Sequence, residues 1–550
     1  MCCSTPSHSI RAAIDPVASN SSSLETKVAM GSADSPSVAA LPTSGRLFPV
    51  RTPRSAPAPG SNYESTMTDD SLAAAAAEEE PVSPTARLME DIYIVVTVGL
   101  GCPVNLPVFS AGIAAQLARY PRFSSIQVTD EYNGGNPRWV RTAVNVDDHM
   151  IVPTLDPAAM EADPDRAVED YKTSLPALPM DPSRPLWEFH FLDFPTSEAT
   201  STVVIRVHHS MGDGMSLITL LLASARSAAD PARLPAMPEQ PSRTGAIYTP
   251  RPRSAGFLES FVMRIWLYLM LAWNTVVDVI FFAATILFLR DPDTVFRRGD
   301  SDVTLKPRRR FVHRSLSLDD VKYIKNAMNC TVNDVLVGAT SAALSRYYFR
   351  QYGYSKTRKL CLRSALFVNT RPTASLQKYV NMIESGKSSE VAWGNQLGYI
   401  LLPFHLAMHD DPLAYVRKAK KTVDRKKSSL EVIFTCKMSE FFLKMLGLKA
   451  GAFIFQRMFT NTTISFSNMV GPTEQVEFYG HPAIFIAPSI YGIPQALGVH
   501  YQSYNRTLKV ILSVNEEIFP DYAQLLDDFA QSFGHIKDAA SRISTPVKKE

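Results

Sequence analysis

Two kinds of hydrophobic spacing alternate along the chain, and together they predict a mixed α/β fold. Short runs rich in β-branched residues, at 92–96 and 202–207, are typical of buried strands. Directly after the second run, leucines recur at helical spacing, which predicts a helix from Gly214 to about residue 229. The alternation of such runs over residues 83–235 indicates one mixed α/β domain.

The second half of the chain repeats these patterns. Ser317 precedes two aspartates at the spacing of a helix start, and Thr331 opens a further helix that is predicted to end near Tyr348. A β-rich run at 508–514 and a helical pattern from about 521 to 539 follow. We therefore expect a second mixed α/β domain over residues 311–541.

Shifts in composition mark the remaining boundaries. Residues 1–82 are rich in Ser, Pro and Ala and poor in aromatic side chains, which predicts a disordered tail, with a plastid transit peptide as the alternative. A segment at 236–310 joins the two domains, and 542–550 form a short tail. The length of 550 residues agrees with two domains, since single cores stop growing near roughly 250–300 residues.

Charge and cysteine usage exclude some functions. The formal net charge of +3 is small for a chain of this size, and neither zinc-finger spacing nor a sustained basic stripe is present, so nucleic acid is not an expected partner. The six cysteines are scattered without the spacing of a disulfide framework. This usage favours a reducing compartment, such as the cytosolic face of an organelle.

The longest apolar stretch of the chain lies at 265–289 and carries one formal charge, Asp278. At about 1.5 Å per residue, a helix of this length could cover a hydrocarbon core of roughly 30 Å. Both flanks are basic, however, and polar side chains gather on about one third of the helical wheel. These polar residues are Arg264, Tyr268, Asn274, Thr275, Asp278 and Thr285. We predict a re-entrant or interfacial helix that docks on a bilayer, with a helical hairpin buried in the protein as the alternative.

The candidate chemistry lies where the run at 202–207 ends, in the sequence His-His-Ser-Met-Gly-Asp-Gly from His208 to Gly214. A strand fixes the backbone of a histidine, and glycines allow a tight turn close to a substrate. Histidine suits proton transfer near neutral pH because its ordinary pKa is about 6.5. Neighbouring strand residues point to opposite faces, so one imidazole can face a given cleft while the other packs. We expect Asp213 to anchor the loop.

The alternative role for the two histidines is metal binding. No further His/Cys/Asp cluster in the sequence has the spacing of metal ligands, however.

This motif resembles the signature of CoA-dependent acyltransferases, which include the BAHD enzymes, condensation domains and wax ester synthase/diacylglycerol acyltransferases. The rest of the chain resembles the plant type of the last family over about residues 83–540. The matching blocks lie, in the same order, at 83–87, 121–123, 184–188, 331–335, 368–372, 394–395 and 467–472. The Asp-Phe-Gly-Trp-Gly motif that BAHD enzymes carry near the C-terminus is missing.

The resemblance implies two chloramphenicol-acetyltransferase-like mixed-sheet domains with the active site between them. It implies direct transfer of a fatty acyl group from acyl-CoA to a long-chain alcohol, to diacylglycerol or to both. His209 is then the general base, within a catalytic motif that also contains His208, Asp213 and Gly214. Candidates for stabilising the oxyanion are Asn395, Ser467 and Asn468, with turn formation as the alternative role. Arg371 is expected to pair with Asp213 or to neutralise a CoA phosphate, and Asn333 and Asp334 to organise a helix start.

Physical chemistry supports this reaction. An alkanol is a poor nucleophile, so an imidazole must accept its proton as the oxygen attacks the thioester. The thiol of CoA has a pKa of about 8.5 and is a good leaving group, so its departure requires little catalysis.

We expect no metal and no cofactor, since acyl-CoA takes part as a substrate. The expected partners are acyl-CoA, the lipid acceptor and a membrane surface. The expected location is the cytosolic face of the endoplasmic reticulum membrane, with the plasma membrane and the plastid as alternatives.

Two other functions compete with this hypothesis. A non-catalytic lipid-binding protein on the same scaffold would be expected to carry a degraded histidine motif, whereas the motif here is intact. A BAHD-like acyltransferase for a soluble acceptor is disfavoured by the missing C-terminal motif and by the apolar segment at 265–289.

Overall fold

The computed structural model describes residues 80–89, 91–129, 135–238, 257–297, 308–353, 360–370, 375–385, 395 and 397–544. Nearly all of the predicted N-terminal tail, part of the predicted 236–310 segment and most of the C-terminal tail lie outside the described residues. Arg371 lies outside them as well.

The first half of the chain alternates strands and helices, as its hydrophobic spacing predicts. Its strands are β1 (Glu80–Pro81), β2 (Tyr93–Leu100), β3 (Ser125–Thr129), β4 (Pro137–Arg141), β5 (Met150–Ile151), β6 (Trp187–Leu192), β7 (Ser201–His208) and β8 (Arg226–Ser227). Its helices are α1 (Pro84–Arg87), α2 (Leu106–Ala115), α3 (Pro157–Ala162), α4 (Pro164–Ser174), α5 (Gly214–Ala223) and α6 (Phe257–Leu287).

The second half follows the same plan with longer helices. Its strands are β9 (Arg309–Ser317), β10 (Leu360–Asn369), β11 (Leu397–Leu406), β12 (Ile464–Val470), β13 (Val476–Phe478), β14 (His481–Tyr491), β15 (Leu497–Tyr504) and β16 (Thr507–Asn515). Its helices are α7 (Leu318–Ala327), α8 (Val332–Tyr352), α9 (Leu376–Ser385), α10 (Leu413–Lys427), α11 (Glu431–Thr460) and α12 (Tyr522–Ser544).

Two large mixed sheets organise the described residues, which confirms the predicted fold class. The first sheet has seven strands in the order β5-β6-β7-β2-β14-β13-β8, and the second has six in the order β11-β10-β12-β15-β16-β9. A small third sheet contains β1, β4 and β3. Strand β14 comes from the second half of the chain but pairs with β2 in the first sheet, antiparallel, from Tyr491 opposite Tyr93 to Ala483 opposite Leu100. The division into domains predicted from the sequence does not anticipate this exchange.

Local chemistry explains where several helices begin and end. The Ser317 side chain caps α7, and Thr331 and Asp334 form a reciprocal capping box at the start of α8. Both starts agree with the sequence. Helix α5 ends at Ala223, earlier than the predicted end near residue 229, because the next residues form β8 and pair with β13. Helix α8 continues past the predicted Tyr348 to Tyr352, where Gly353 follows with a φ of 76°.

Helix α6 contains the predicted apolar segment, and its polar side faces the protein. Its buried face repeats at helical spacing and includes the polar residues Asn274, Asp278 and Thr285. Leu271 and Phe282, which interrupt the predicted polar stripe, lie on this buried face, whereas Arg264 and Tyr268, nearer the start of the helix, are exposed. Many of the other apolar side chains are exposed, although Ile286 packs against the protein. Phe261–Leu287 is long and apolar enough to cross a membrane, and among the described residues it is the one helix that meets this criterion.

Buried polar contacts hold α6 against the second half of the chain. Oδ1 of Asp278 accepts hydrogen bonds from Nη2 of Arg425 at 2.7 Å and from Nζ of Lys426 at 2.9 Å. Nδ2 of Asn274 donates to the carbonyl oxygen of Ser428 at 3.1 Å. Near the other end of α6, Nδ2 of Asn461 donates to the carbonyl oxygen of Thr285 at 2.6 Å. The helix is therefore attached along its polar side and leaves its apolar side uncovered.

Helix α11 packs beside α6 and is bent into two arms. Gly447 has a φ of 76° and a ψ of 178°, which is a backbone conformation that L side chains rarely adopt. The arms fold together so closely that a Cβ atom on Gly451 would lie 2.2 Å from a methyl carbon of Leu443. Next to the bend, Met445 is 67% exposed and Leu446 is 60% exposed. The sequence analysis did not identify this second apolar surface.

Candidate active site

The two histidines of the motif lie where β7 ends, in the middle of the first sheet. The backbone N–H of His209 donates to the carbonyl oxygen of Ile92, next to β2, at 2.8 Å. His209, Ser210 and Met211 form a 3₁₀ turn that connects β7 to α5. Hydrogen bonds on both sides of the strand end therefore fix the backbone that carries the imidazoles.

The environment of His209 favours a neutral imidazole. The residue is buried, and burial lowers the pKa of the imidazole below its usual value, while its own carbonyl oxygen, the charge of Asp213 and the side chain of Asn395 oppose that shift. Its Nδ1 makes no hydrogen bond of ordinary geometry with a described residue. A neutral imidazole can accept a proton at pH 7, which is the property that a general base requires.

His208 occupies a packed position. Its Nδ1 lies 2.6 Å from the hydroxyl oxygen of Ser210, which also accepts a hydrogen bond from Nε2 of Gln127 at 2.6 Å. The ring meets that of Tyr93 edge-on, with 5.2 Å between the centroids. The structure thus gives His208 partners within the protein, as expected for the member of the pair that packs.

Asp213 and Gly214 start helix α5. One carboxylate oxygen of Asp213 accepts the backbone N–H of Ser216 at 2.8 Å, so Asp213 is the N-cap of the helix. Gly214 is the first residue of the helix and lines the cavity described below. Asp213 therefore positions the turn and acts on His209 through its charge.

Asn395 is the oxyanion candidate that contacts the motif directly. Its Nδ2 donates to the carbonyl oxygen of His209 at 2.9 Å, and its own carbonyl oxygen accepts the hydroxyl of Thr85 in α1. Asn395 is buried. Asn395 therefore connects the histidine motif to Thr85 near the start of the described residues. Because its amide group donates to the carbonyl oxygen of His209, that group is not directed at a substrate oxyanion in this structure.

The other candidates from the second half lie on or beside β12. The hydroxyl oxygen of Ser467 is 2.7 Å from Nδ1 of His500 on β15. Asn468 donates through Nδ2 to Oδ1 of Asn333 at 2.7 Å. Asp334, next to Asn333, is fully buried and serves in the capping box at the start of α8, the structural role expected of this pair.

An apolar cavity lies beside the motif, between the two sheets. Its walls come from the first sheet, from helix α5, and from β12, β14 and β15. They include Ile94, Val96, Leu117, Phe123, Phe189, Ile205, Val207, Gly214, Leu217, Ile218, Leu221, Ser467, Met469, Pro488, Ser489, Ile490 and His500. Val207 and Gly214 line it on either side of the histidines, whereas neither imidazole is among its described lining residues. The cavity therefore lies next to the motif rather than around the imidazoles.

Sequence reasoning missed two polar residues of this cavity, His500 and Ser489. Both lie within β-rich runs, where a single polar residue carries no signal until the fold shows which face it occupies. Over the described ranges, no group of three or more His, Cys, Asp or Glu residues has the arrangement of a metal site.

Comparison with known proteins identifies the family of the chain. Residues 99–336 match the family model of the wax ester synthase/diacylglycerol acyltransferase catalytic domain, and residues 393–537 match that of the WS/DGAT C-terminal domain. The wax ester synthase/diacylglycerol acyltransferase 4 of Arabidopsis thaliana is 43% identical over 84% of this chain and 91% of its own length. The Arabidopsis thaliana family member numbered 11 is 42% identical over 86% of this chain and 97% of its own length.

Solved structures of low sequence identity share the fold. The wax ester synthase/diacylglycerol acyltransferase of Marinobacter aquaeolei VT8 superposes with a TM-score of 0.53 at 18% identity, covering 84% of this chain and 100% of that one. The first condensation domain of the calcium-dependent antibiotic synthetase superposes with a TM-score of 0.51 at 14% identity, covering 85% of this chain and 97% of that one.

The match to the catalytic-domain family model and the similarity to the Arabidopsis thaliana relatives define the class of this protein as an acyltransferase. The chain belongs to the wax ester synthase/diacylglycerol acyltransferase family, as its family-model matches and its relatives show. The family expected from the sequence is confirmed.

Proposed function

We propose that the protein transfers a fatty acyl group from acyl-CoA directly to the hydroxyl group of a long-chain alcohol, of diacylglycerol or of both, with His209 as the general base. The observation that carries the proposal is the buried His209, with its lowered pKa, beside an apolar cavity. Such a cavity suits an acyl chain because removing apolar surface from water is favourable. The names of the relatives, wax ester synthase/diacylglycerol acyltransferases, agree with these two classes of acceptor.

The proposed reaction needs one proton relay and no covalent enzyme intermediate. The imidazole of His209 accepts the hydroxyl proton as the acceptor oxygen attacks the thioester carbonyl carbon, which gives a tetrahedral intermediate with a negative oxygen. The carbon–sulfur bond then breaks, and the imidazolium returns the proton to the departing thiolate. The products are the ester and free CoA, and His209 is regenerated neutral. No cofactor takes part in this scheme.

Burial of His209 opposes the charged imidazolium that this relay forms. Two groups offset that penalty, since the charge of Asp213 and the carbonyl oxygen of His209 itself both favour the protonated ring. Asn395 holds the same carbonyl oxygen through a 2.9 Å hydrogen bond and is therefore a positioning residue. The resulting pKa lies below the usual value, which keeps the base neutral between turnovers.

We further propose that the outer faces of α6 and α11 dock on a membrane. Trp266, Trp273 and Ile280 on α6 are 60%, 65% and 60% exposed, while the polar side of that helix is buried against the protein. A large exposed apolar surface of this kind is typical of membrane or protein contacts. Met445 and Leu446, beside the bend of α11, are exposed apolar side chains on a second helix. Docking would shorten the path of two lipid substrates to the site.

The proposed location is the cytosolic face of the endoplasmic reticulum membrane. The four described cysteines, Cys102, Cys330, Cys361 and Cys436, are free thiols, which suits a reducing compartment. The basic residues on both flanks of α6 favour the cytosolic side of a bilayer. Protease protection on isolated microsomes tests this location, since a protein on the cytosolic face is digested without detergent, and full protection contradicts the proposal.

The reaction itself is tested by incubating the purified protein with palmitoyl-CoA and one acceptor at a time. Hexadecanol and diolein represent the proposed acceptors, and a phenylpropanoid amine represents a soluble one. The expected result is ester from at least one lipid acceptor, with one CoA thiol released per ester formed. Product from the soluble acceptor alone would instead support a BAHD-like enzyme. Binding of both lipids without any product would support a lipid-binding protein.

A further inference from the structure

Two buried polar atoms in the wall of the apolar cavity lack a partner. Nε2 of His500 and the hydroxyl oxygen of Ser489 are both inaccessible to solvent, and neither makes a hydrogen bond within the described part of the chain. Both residues line the cavity, whose other walls are almost entirely apolar. Buried polar groups are nearly always hydrogen-bonded in native proteins. Ser489 pairs with Val95 and so shares its face of the sheet, whereas Ile94 and Val96 line the cavity from the other face. Nε2 of His500 is therefore the atom that a polar group of a substrate in the cavity can engage.

The two atoms belong to neighbouring strands that pack at the junction of the sheets. A Cβ atom on Gly498 would lie 2.9 Å from Nε2 of His500 and 3.2 Å from Cβ of Ser513, so the imidazole folds back over Gly498 toward β16. The hydroxyl of Ser513 donates to the carbonyl oxygen of Ile490, the residue after Ser489, at 3.4 Å. Ser513 therefore packs both beside Gly498, next to the His500 ring, and against the backbone of β14.

The hydroxyl of Ser467 is the hydrogen-bond partner of Nδ1 of His500. Its oxygen lies 2.7 Å from Nδ1, and when the hydroxyl donates, the ring proton resides on Nε2 and makes that atom a donor. Burial, and next the positive charge of Arg309, lower the pKa of His500 to about 4, so the imidazole is neutral at pH 7. A neutral imidazole can donate a hydrogen bond without carrying a buried charge.

The same end of the cavity adjoins the histidine motif. Ile490 lines the cavity and packs in the cluster that contains Ile92, whose carbonyl oxygen accepts the backbone N–H of His209. Val207 and Gly214 line the cavity from the other side of the motif. The cavity therefore adjoins both the turn that carries the base and His500 on β15.

We infer that Nε2–H of His500 binds the carbonyl oxygen of the acyl thioester and stabilises the oxyanion that develops on it. This inference rests on the proposed function and adds the oxyanion site to it. Ser467 is then a positioning residue that acts through His500. Asn395 and Asn468, the other oxyanion candidates from the sequence, direct their amide groups to His209 and Asn333 instead.

Substitution of His500 tests the inference on the full-length protein. With palmitoyl-CoA and hexadecanol, or with diolein if it is the better acceptor, His500→Leu is expected to lower kcat by about 10²–10³-fold, as for loss of one oxyanion donor. KM for palmitoyl-CoA should change by less than about threefold, because the donor acts mainly in the transition state. His500→Gln keeps an N–H donor near the position of Nε2 and should recover at least about tenfold of the lost kcat.

A matched control separates this role from packing. His313 is a partly buried histidine on β9 of the same sheet that does not line the cavity, and His313→Leu should leave kcat within about threefold of wild type. Thermal unfolding identifies variants that do not fold, and if His500→Leu is one of them, Ser467→Ala supplies the test through loss of kcat. Unchanged kcat in His500→Leu, or equal losses in the folded Leu and Gln variants, would overturn the inference. If wild type makes no ester with any lipid acceptor, the proposed function fails instead.

Discussion

Asn395 donates its side-chain amide to the carbonyl oxygen of His209, with 2.9 Å between the two heavy atoms. This hydrogen bond joins a loop of the second half of the chain to the turn that carries the proposed base. The carbonyl oxygen concerned also favours the charged form of the same imidazole. This one contact therefore connects the two halves of the protein and influences both the orientation and the pKa of His209.

Removing the Asn395 amide should weaken catalysis without abolishing it. Asn395→Ala frees the carbonyl oxygen of His209 and lets the turn shift, and small displacements of a catalytic group can cost up to about 10²-fold in rate. We expect kcat for ester formation to fall by about 10- to 100-fold, with a smaller change in KM. Asn381→Ala, at an exposed position on α9, is the matched control. A wild-type kcat in Asn395→Ala would show that the contact has no role in positioning.

The acid limb of the pH profile should report His209. Because burial lowers the pKa of this base, it remains neutral at pH values below its usual pKa of about 6.5. Plots of kcat/KM against pH should therefore stay level down to a pH below about 6.5 and fall as the imidazole takes up a proton. An acid limb centred above that value would contradict the described environment.

Asp213→Asn separates the two roles of Asp213. An asparagine can still cap α5, so stability should change little, by less than about 1 kcal/mol. Its neutral side chain no longer favours the imidazolium of His209, so the acid limb should move to lower pH. Asp213→Ala also loses the cap and should be less stable than Asp213→Asn by about 0.5–2 kcal/mol. An acid limb in Asp213→Asn at or above the wild-type pH would contradict the assigned electrostatic role.

The apolar face of α6 should control membrane binding. Replacing Trp266, Trp273 and Ile280 together with Gln removes exposed apolar side chains, each of which can contribute about 1.5–3 kcal/mol when buried. Sedimentation with liposomes should therefore show at least about a tenfold loss of binding. The control replaces Val152 and Leu178, exposed on another part of the surface. Equal binding by both variants would exclude α6 as the docking element.

The inner face of α6 should control stability instead. The carboxylate of Asp278 is buried and pairs with Lys426 and with the partly exposed Arg425. Asp278→Asn leaves a buried ammonium group with one fewer anionic partner and should reduce the stability by about 3 kcal/mol, measured as a lower midpoint of urea unfolding. Asp293→Asn breaks exposed ion pairs and should cost less than about 1 kcal/mol. Equal stability of the two variants would refute the buried attachment.

The sequence predicts those features that depend on neighbouring residues. Strand β7, the start of α5 and the caps at Ser317 and Thr331 follow from periodicity and side-chain chemistry within a few positions. The histidine motif is local as well, and it identified the acyltransferase family before the fold was known. The bend at Gly447 leaves no such signal, because one glycine inside an apolar helical pattern is compatible with a continuous helix.

Long-range pairing explains the features that the sequence does not predict. Strand β14 joins the first sheet although it lies far along the chain from β2, and hydrophobic alternation does not identify a strand's partner. The cavity positions of His500 and Ser489 depend on that pairing. For α6, the sequence shows most of a polar stripe but not whether the stripe faces water or protein. The contacts of Asp278 and Asn274 show that it faces protein.

The most direct test of the account is the single-turnover rate of ester formation by His209→Ala with palmitoyl-CoA and the better of the two lipid acceptors. Loss of the general base should lower that rate by about 10²–10⁴-fold, while His535→Ala, at an exposed histidine on α12, keeps the wild-type rate. Far-ultraviolet circular dichroism and the thermal midpoint confirm that both variants are folded. A folded His209→Ala protein that forms ester at the wild-type rate would contradict the assignment of His209 as the base.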